Sequence, residues 1–314
     1  METEFGKEYS IIKYKPQLFS KVMKMFNDSA GKGYKKTTQY FRYNLSQTPY
    51  GKPIRFLMMQ KGSVVGSHSS RPLLLKVKNR YYLGGLLYNI RVHHEHRKKG
   101  IFLTLAKKNF EEAKRKKYNF LLAFSNENSK VGYEKLGMKE LPINFIKIKK
   151  NNFIEEKTAK VLDHYFPRNL YRLYDKYKIG KNFPVRFQRD EKYFLWRYKK
   201  NPEYRYLTCY EKGEYFFVFK KYFDSLHIVD FLVSSTNHYN ILINTAKKMA
   251  KDLSCNEINM WIPKSHQIMN YLDKSSTNLK PQQFMQLIVF KKTLEPLMDD
   301  IKNWYYTMGD SNVF

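Results

Sequence analysis

Along the chain, short apolar runs alternate with amphipathic stretches in an order that predicts a mixed α/β protein. Residues 9–14 read as a strand, and residues 18–26 repeat apolar positions at helical spacing with Val22, Met23 and Phe26 on the inner side. Residues 54–60, 63–67 and 73–77 read as strands of a meander, broken by turn signals at Lys61-Gly62 and Asn79-Arg80. An apolar segment, 85–92, runs into a polar loop, after which helical periodicity returns over 101–117 with Phe102, Ala106, Phe110 and Ala113 on one face. A buried strand over 118–124, a short helix over 128–136 closed by Gly137, and a strand at 146–148 that closes the sheet complete this half.

The second half repeats that succession. Phe41-Arg42-Tyr43, followed by Pro49-Tyr50, resembles Trp196-Arg197-Tyr198, followed by Pro202 and Tyr204. Gln60-Lys61-Gly62-Ser63 likewise resembles Glu211-Lys212-Gly213-Glu214, each between two apolar strands. After the second copy come a strand (226–233), a helix with Leu242, Ala246, Met249 and Leu253 on one face, a strand (258–262), a short helix (265–272) and a strand (284–290). Two related domains in tandem are expected, 1–150 and 191–314, joined by a helical connector over 151–190 with apolar spacing at Leu170, Leu173 and Tyr177. The aromatic and polar tail from Trp304 is expected to pack back, and could line an acceptor cleft.

Candidate chemistry concentrates in the loop Val92-His93-His94-Glu95-His96-Arg97-Lys98-Lys99-Gly100-Ile101-Phe102-Leu103. A strand, a basic glycine loop and a helix suit a phosphate group. The first N–H groups of the helix have no partner within it, Arg97, Lys98 and Lys99 add positive charge, and Gly100 lets the backbone approach an anion. A basic stretch opening a helix can also be a plain solvated surface. The strand and second short helix that come after it weaken that reading, because together they make a strand, loop, helix, strand, helix unit.

These residues resemble the GNAT superfamily of acyl-CoA-dependent N-acyltransferases. Arg97-Lys98-Lys99-Gly100-Ile101-Phe102 is similar to that family's Arg/Gln-x-x-Gly-x-Gly/Ala motif in its first five positions. Asn126-Glu-Asn-Ser129-Lys-Val-Gly-Tyr133-Glu-Lys-Leu-Gly137-Met138 is similar to its Asn-x-x-Ala-x-x-x-Tyr-Glu-Lys-x-Gly-Phe helix. Phe102 departs from the usual small residue, which narrows the space beside a pyrophosphate unless its side chain points into the core, and Gly132 and Met138 stand where aromatics are common. The resemblance implies an α/β fold with a mixed sheet, the acyl-CoA N-acyltransferase (GNAT) fold, in 1–150. It implies a degenerate GNAT-like domain in 191–314, where 233–236 lacks the Arg-x-x-Gly loop.

It further implies acetyl-CoA as co-substrate. Backbone groups of Ile90, Arg91 and Val92 would pair with the pantetheine arm, and the stretch Arg97, Lys98, Lys99, Gly100, Ile101, Phe102 and Leu103 would hold the pyrophosphate. Asn126 would contact the arm, although it could equally cap the following helix. Tyr133 would give a proton to the departing thiolate, against the alternative of a packed aromatic. The strands flanking the loop contain no carboxylate, which leaves Glu95, His93, His94 or water as the base.

Composition bounds the rest. The 314 residues are long for one domain and natural for two, and 42% hydrophobic with 17% aromatic residues exclude a disordered chain. Lys plus Arg number 58 against 28 Asp plus Glu, so the formal charge of +30 attracts phosphorylated ligands, nucleic acid or anionic lipid. The cations are spread along the chain, so nucleic acid is possible but not favoured. Cys209 and Cys255 show neither metal spacing nor a disulfide framework, and no metal site is expected. No apolar run approaches the length of a membrane span, and a soluble cytoplasmic protein is the expectation, its oligomeric state open. The expected activity is acetyl-CoA-dependent N-acetyl transfer to an amine, such as an amino sugar. The alternatives are a non-catalytic CoA-sensing or nucleic-acid-binding module on this fold, and tRNA-dependent aminoacyl transfer.

Overall fold

The computed structural model describes residues 8–30, 35–46, 48–149, 157–168, 170, 172–173, 182–272, 276–279 and 283–311. Its first elements are β1 (Tyr9–Lys13), α1 (Phe19–Asp28), α2 (Thr38–Ser46), β2 (Ile54–Gln60), β3 (Ser63–Val77) and β4 (Arg80–Val92). They are followed by α3 (Ile101–Arg115), β5 (Phe120–Ser125), α4 (Glu127–Glu134), β6 (Lys139–Leu141) and β7 (Phe145–Lys149). The later chain forms β8 (Val161–Asp163), β9 (Val185–Phe187), α5 (Glu191–Phe194), β10 (Leu207–Glu211), β11 (Tyr215–Tyr222) and β12 (Ser225–Val233). Then come α6 (His238–Asp252), β13 (Glu257–Trp261), β14 (Thr277–Leu279), β15 (Phe284–Val289), α7 (Glu295–Met298) and β16 (Trp304–Tyr305).

Two compact units are interleaved along the sequence. One contains Met1–Leu74, Tyr82–Glu140 and Gln283–Glu295; the other contains Leu75–Tyr81, Leu141–Gln282 and Pro296–Phe314. The contiguous cuts expected at 150/151 and 190/191 therefore do not coincide with the units.

In the first unit the strands run in the order β1-β2-β3-β4-β5-β15-β6. The alternation of β2 explains how both faces are used. Ile54, Phe56 and Met58 join Leu105, Ala106, Phe110 and Ala113 of α3 in one core cluster, while Leu57 joins Val22 and Met25 of α1 in another. On α1 the buried residues are Val22 and Met25; of the three expected on the inner side, Val22 is fully buried while Met23 and Phe26 are half-buried. The expected strands 63–67 and 73–77 are a single strand, β3, running through Pro72. Its middle, Ser67 to Arg71, is polar yet buried, which period-2 reading takes for a break. The burial is sustained by partners: Arg55 Nε donates to Ser69 Oγ at 2.6 Å, and Arg71 Nη2 donates to Asn44 Oδ1 at 3.2 Å.

Strand β15, far away in sequence, lies antiparallel to β5 in this unit, with Phe284 opposite Ser125 and Val289 opposite Phe120. The strand expected to close this sheet, 146–148, belongs instead to the second unit. There β7 pairs antiparallel with β13, Ile146 opposite Met260 and Ile148 opposite Ile258.

The second unit has the order β14-β7-β13-β12-β11-β10-β8. Its hairpin strands, α6 and β13 follow one another in the order expected from sequence, and β12 runs parallel to β13 as β4 does to β5. The expected helical connector is in part strand: Val161–Asp163 pairs with β10, and Val185–Phe187 pairs with the last residues of β3. Leu170 and Leu173 are buried, while Tyr177 falls outside the described residues.

The tail does pack back, with every residue from Trp304 to Ser311 buried in this unit. Arg189, wholly buried, clamps it: Nε donates to Asp230 Oδ2 at 3.0 Å, and Nη2 donates to Asp310 Oδ2 and to Thr307 Oγ1, both at 2.9 Å. Among the described residues no helix is long and apolar enough to cross a membrane.

Candidate acyl-CoA site

The site begins where two parallel strands part. β4 and β5 pair only at Gly85–Leu121 and Leu86–Leu122, although β4 continues to Val92 and β5 to Ser125. Beyond this pairing the edge of β4 facing β5 carries Tyr88 to Val92, including Ile90, Arg91 and Val92, and no strand pairs with it on that side among the described residues. An open strand edge offers N–H and C=O groups to an extended ligand. Asn89 interrupts the extended backbone with φ of 47°, a left-handed value uncommon for a residue with a Cβ.

The basic loop follows. His94–His96 forms one 3-10 turn, and Arg97, Lys98, Lys99 and Gly100 are all exposed. Lys98 and Gly100 both adopt left-handed backbone, φ 63° and 76°, and Gly100 is the N-cap of α3. Because no side chain caps this helix, the N–H groups of Ile101, Phe102 and Leu103 are left for water or an anion. The Ile101 side chain is buried in the core, so this residue can serve an anion only through its backbone.

Phe102 does not crowd the loop. Its ring lies against Gly132, where a Cβ would collide with it, and packs edge-on to Tyr133 at 5.1 Å between centroids. Phe102 and Gly132, two of the three departures from the family pattern, thus form one packing arrangement.

Asn126 caps α4, its Oδ1 accepting from Ser129 N at 3.1 Å and Ser129 Oγ at 3.0 Å, which is the capping role read beside the ligand role. Tyr133 is 1% exposed, enclosed by His68, Phe102 and Phe110, and its hydroxyl lies 3.2 Å from His68 Nε2. Burial pushes the phenol well above its usual 10 and holds His68 down to about 3, hence neutral. These are the surroundings of a packed aromatic, the reading set beside the proton-donor role. His68 was missed by sequence reading because it lies in the polar stretch of β3.

Of the candidate bases, His93 is half-buried at the end of β4, whereas His94 and Glu95 are exposed. One ligand atom each from His93, Glu95 and His96 lie within 4.8 Å of one another, so these three could hold a small cation. The signal was the His93-x-x-His96 spacing. Tyr9 meets His96 Nδ1 at 3.0 Å, and Lys99 Nζ donates to the Tyr9 hydroxyl at 3.3 Å.

Asn89, Ile90 and Arg91 of β4 also line a cavity of about 190 Å³, together with Phe26, Asn27, Lys36 and Tyr40. None of these residues except Ile90 and Arg91 was singled out from sequence as a site residue, because three separate segments supply them.

The family model described as acetyltransferase (GNAT) domain matches residues 10–139. No curated protein sequence matches the chain. Among solved structures, the chain is similar to a GCN5-related N-acetyltransferase from Kribbella flavida at 10% identity, covering 91% of this chain and 72% of that one with a TM-score of 0.66. It is similar to a putative acetyltransferase from Pyrococcus horikoshii at 14% identity, covering 98% and 96%, TM-score 0.60. It is also similar to Saccharomyces cerevisiae N-myristoyltransferase with bound myristoyl-CoA at 11% identity, covering 93% and 80%, TM-score 0.60. With parted parallel strands, a left-handed Gly100 before an uncapped helix, and these neighbours, the chain has the mixed-sheet α/β GNAT fold, and residues 10–139 match its acetyltransferase domain.

Proposed function

We propose that this protein is an acyl-CoA-dependent N-acyltransferase that uses acetyl-CoA and acylates a small amine. The observation that carries the reading is the gap between β4 and β5 beside the basic, glycine-capped start of α3. In this proposal the pantetheine arm adds to the edge of Ile90, Arg91 and Val92 like a further strand. The pyrophosphate rests on the N–H groups that open α3, with Arg97, Lys98 and Lys99 around it.

The neutral amine nitrogen attacks the thioester carbonyl carbon, the C–S bond breaks, and the nitrogen loses its proton to water or to the His93–Glu95 pair at the end of β4. A backbone N–H of the strand edge supports the oxyanion. The leaving thiol has a reference pKa near 8.5, so it departs as thiolate without an obligatory acid. Tyr133 then acts by holding Phe102 and the start of α3 in place. The second unit is proposed to be a degenerate copy of the first, derived from the shared succession of strands and helices.

Calorimetric titration with acetyl-CoA tests the reading. Saturable binding by the wild type and its loss in Gly100→Glu, which sets bulk and negative charge at the loop, is the expected result. Absence of binding to the wild type would remove the proposal. A CoA-binding module without transfer is the second reading, favoured by the enclosure of Tyr133; release of free thiol only in the presence of an amine separates the two.

A further inference from the structure

The cavity of about 190 Å³ between the end of α1, the start of α2 and Asn89–Arg91 of β4 carries two cationic side chains, Lys36 and Arg91, and no carboxylate among its lining residues. We propose that this cavity binds an anionic group, carboxylate or phosphate, carried by the acceptor amine. The assignment of the ligand as acceptor rests on the acyltransferase reading; the anion site itself does not.

Each polar wall is held in place by another part of the first unit. Asn27 grips the backbone of Lys36 at two points, Oδ1 accepting from Lys36 N at 2.9 Å and Nδ2 donating to Lys36 O at 3.1 Å. Arg91 Nη1 donates to Phe26 O at 3.2 Å, and its guanidinium lies 5.6 Å from the Phe26 ring centroid. This fixes a planar fork whose geometry suits carboxylate and phosphate oxygens. Tyr40 donates to Asn89 Oδ1 at 3.2 Å, leaving Asn89 Nδ2 shielded from solvent with no hydrogen-bond partner among the described residues. A buried donor without a partner is costly, and this one belongs to a residue that lines the cavity.

The charges agree with the geometry. Burial, and after it the Arg91 charge, hold Lys36 below its ordinary range; burial, then Arg97, lower Arg91. Two like charges drawn partly out of water beside one cavity are stabilised by an anion between them. The strained backbone of Asn89 falls at the same place, as expected where structure is kept for a ligand. Since Asn89–Arg91 is also the stretch of β4 that has left β5, an amine held by its anionic end here has its nitrogen next to the gap proposed for the thioester.

The anion site is measured directly by titrating O-phosphoethanolamine, glycine and inorganic phosphate into Gly100→Glu protein, in which the loop beside α3 is blocked to phosphate. Binding of at least one of these, weakened about 10- to 100-fold by Arg91→Ala and less by Lys36→Ala, supports the site. Absence of binding, or binding unaffected by Arg91→Ala while Lys108→Ala behaves alike, overturns it.

In the wild type, thiol release is compared within matched pairs that differ only in the anion: O-phosphoethanolamine with ethanolamine, glycine with glycinamide, glucosamine 6-phosphate with glucosamine. The expected preference is for the anionic member, abolished by Arg91→Ala; equal rates within every pair overturn the acceptor assignment. Phosphate against carboxylate is read from which pair shows the larger ratio. Acetyl-CoA titration, run separately, reports on the acyltransferase reading, so failure of one is told from failure of the other.

Discussion

Phe102 and Gly132 show how two unusual residues can make one ordinary arrangement. The ring of Phe102 occupies the space that any side chain at 132 would need. Gly132→Ala is therefore expected to destabilise by about 1–3 kcal/mol through overpacking, but by much less in a Phe102→Ala background, where the ring is gone. Urea unfolding of the four proteins of this cycle measures the coupling, and additive effects would sink the argument. The neighbouring His68 supplies a pH prediction. Its folded pKa, about 3, lies below the unfolded value near 6.5, so the unfolded chain binds the extra proton in that interval. Its contribution to stability is complete above about pH 6.5 and is lost as pH falls towards 3, with a slope of up to about 1.4 kcal/mol per pH unit. His68→Gln is expected to flatten the acid limb of urea midpoint against pH; an unchanged limb would place the effect elsewhere. Tyr133→Phe, which keeps the ring and removes only the hydroxyl, is expected to retain acyl transfer within a few-fold. A loss of two or more orders of magnitude at constant stability would restore the proton-donor role to Tyr133.

At the scale of elements, the loop before α3 and the buried tail behave in opposite ways. The loop keeps Arg97 to Gly100 exposed and its helix uncapped, which leaves the first N–H groups of α3 open to water or an anion. The tail does the reverse, burying Asp310 and with it Arg189 and Asp230. Removing Arg189 would leave two buried carboxylates without their counter-ion, a loss of about 3–5 kcal/mol. Arg189→Ala is expected to lower the melting temperature strongly, and to lower it less in a protein already truncated before Trp304, where Thr307 and Asp310 are gone and only Asp230 remains as a partner. If the two lesions add in full, the clamp is not the tail's anchor. The length of β3 belongs to the same scale: its polar middle stays in the strand because Arg55 of β2 donates to Ser69 and Asn44 of α2 accepts from Arg71.

Over the whole molecule, the arrangement that matters is the exchange of strands between the two halves of the sequence. β15 completes the sheet around β5, and β7 lies between β13 and β14. A fragment ending near residue 150 would carry β7 without its sheet and leave the apolar edge of β5 bare, a template for aggregation. The fragment 1–140 is accordingly expected to be insoluble or molten, and the same fragment joined through a short flexible linker to 283–295 to be soluble and to unfold cooperatively. Solubility and cooperative melting of the unjoined fragment would show that β15 is dispensable. The likeness to N-acetyltransferase and N-myristoyltransferase structures over nine-tenths of the chain is one of fold, at identities of 10–14%.

Local periodicity was enough to find β2, α3, β5 and α4, because each buries a face whose spacing is written in consecutive residues. The basic Gly100 loop was legible for a related reason, since its chemistry is carried by neighbours in sequence. The sequence also announced the succession of elements from β10 to β13 in the second half. Which sheet β7 and β15 join was not legible, for a strand's pattern states which face is apolar but not which edge it meets. Only the tertiary structure brought Lys36, Asn89 and Arg91 to one cavity, enclosed Tyr133 against His68, and set Phe102 on Gly132. These are contacts between distant segments, decided by packing and by the need to pair buried polar groups, and no window of sequence contains both partners.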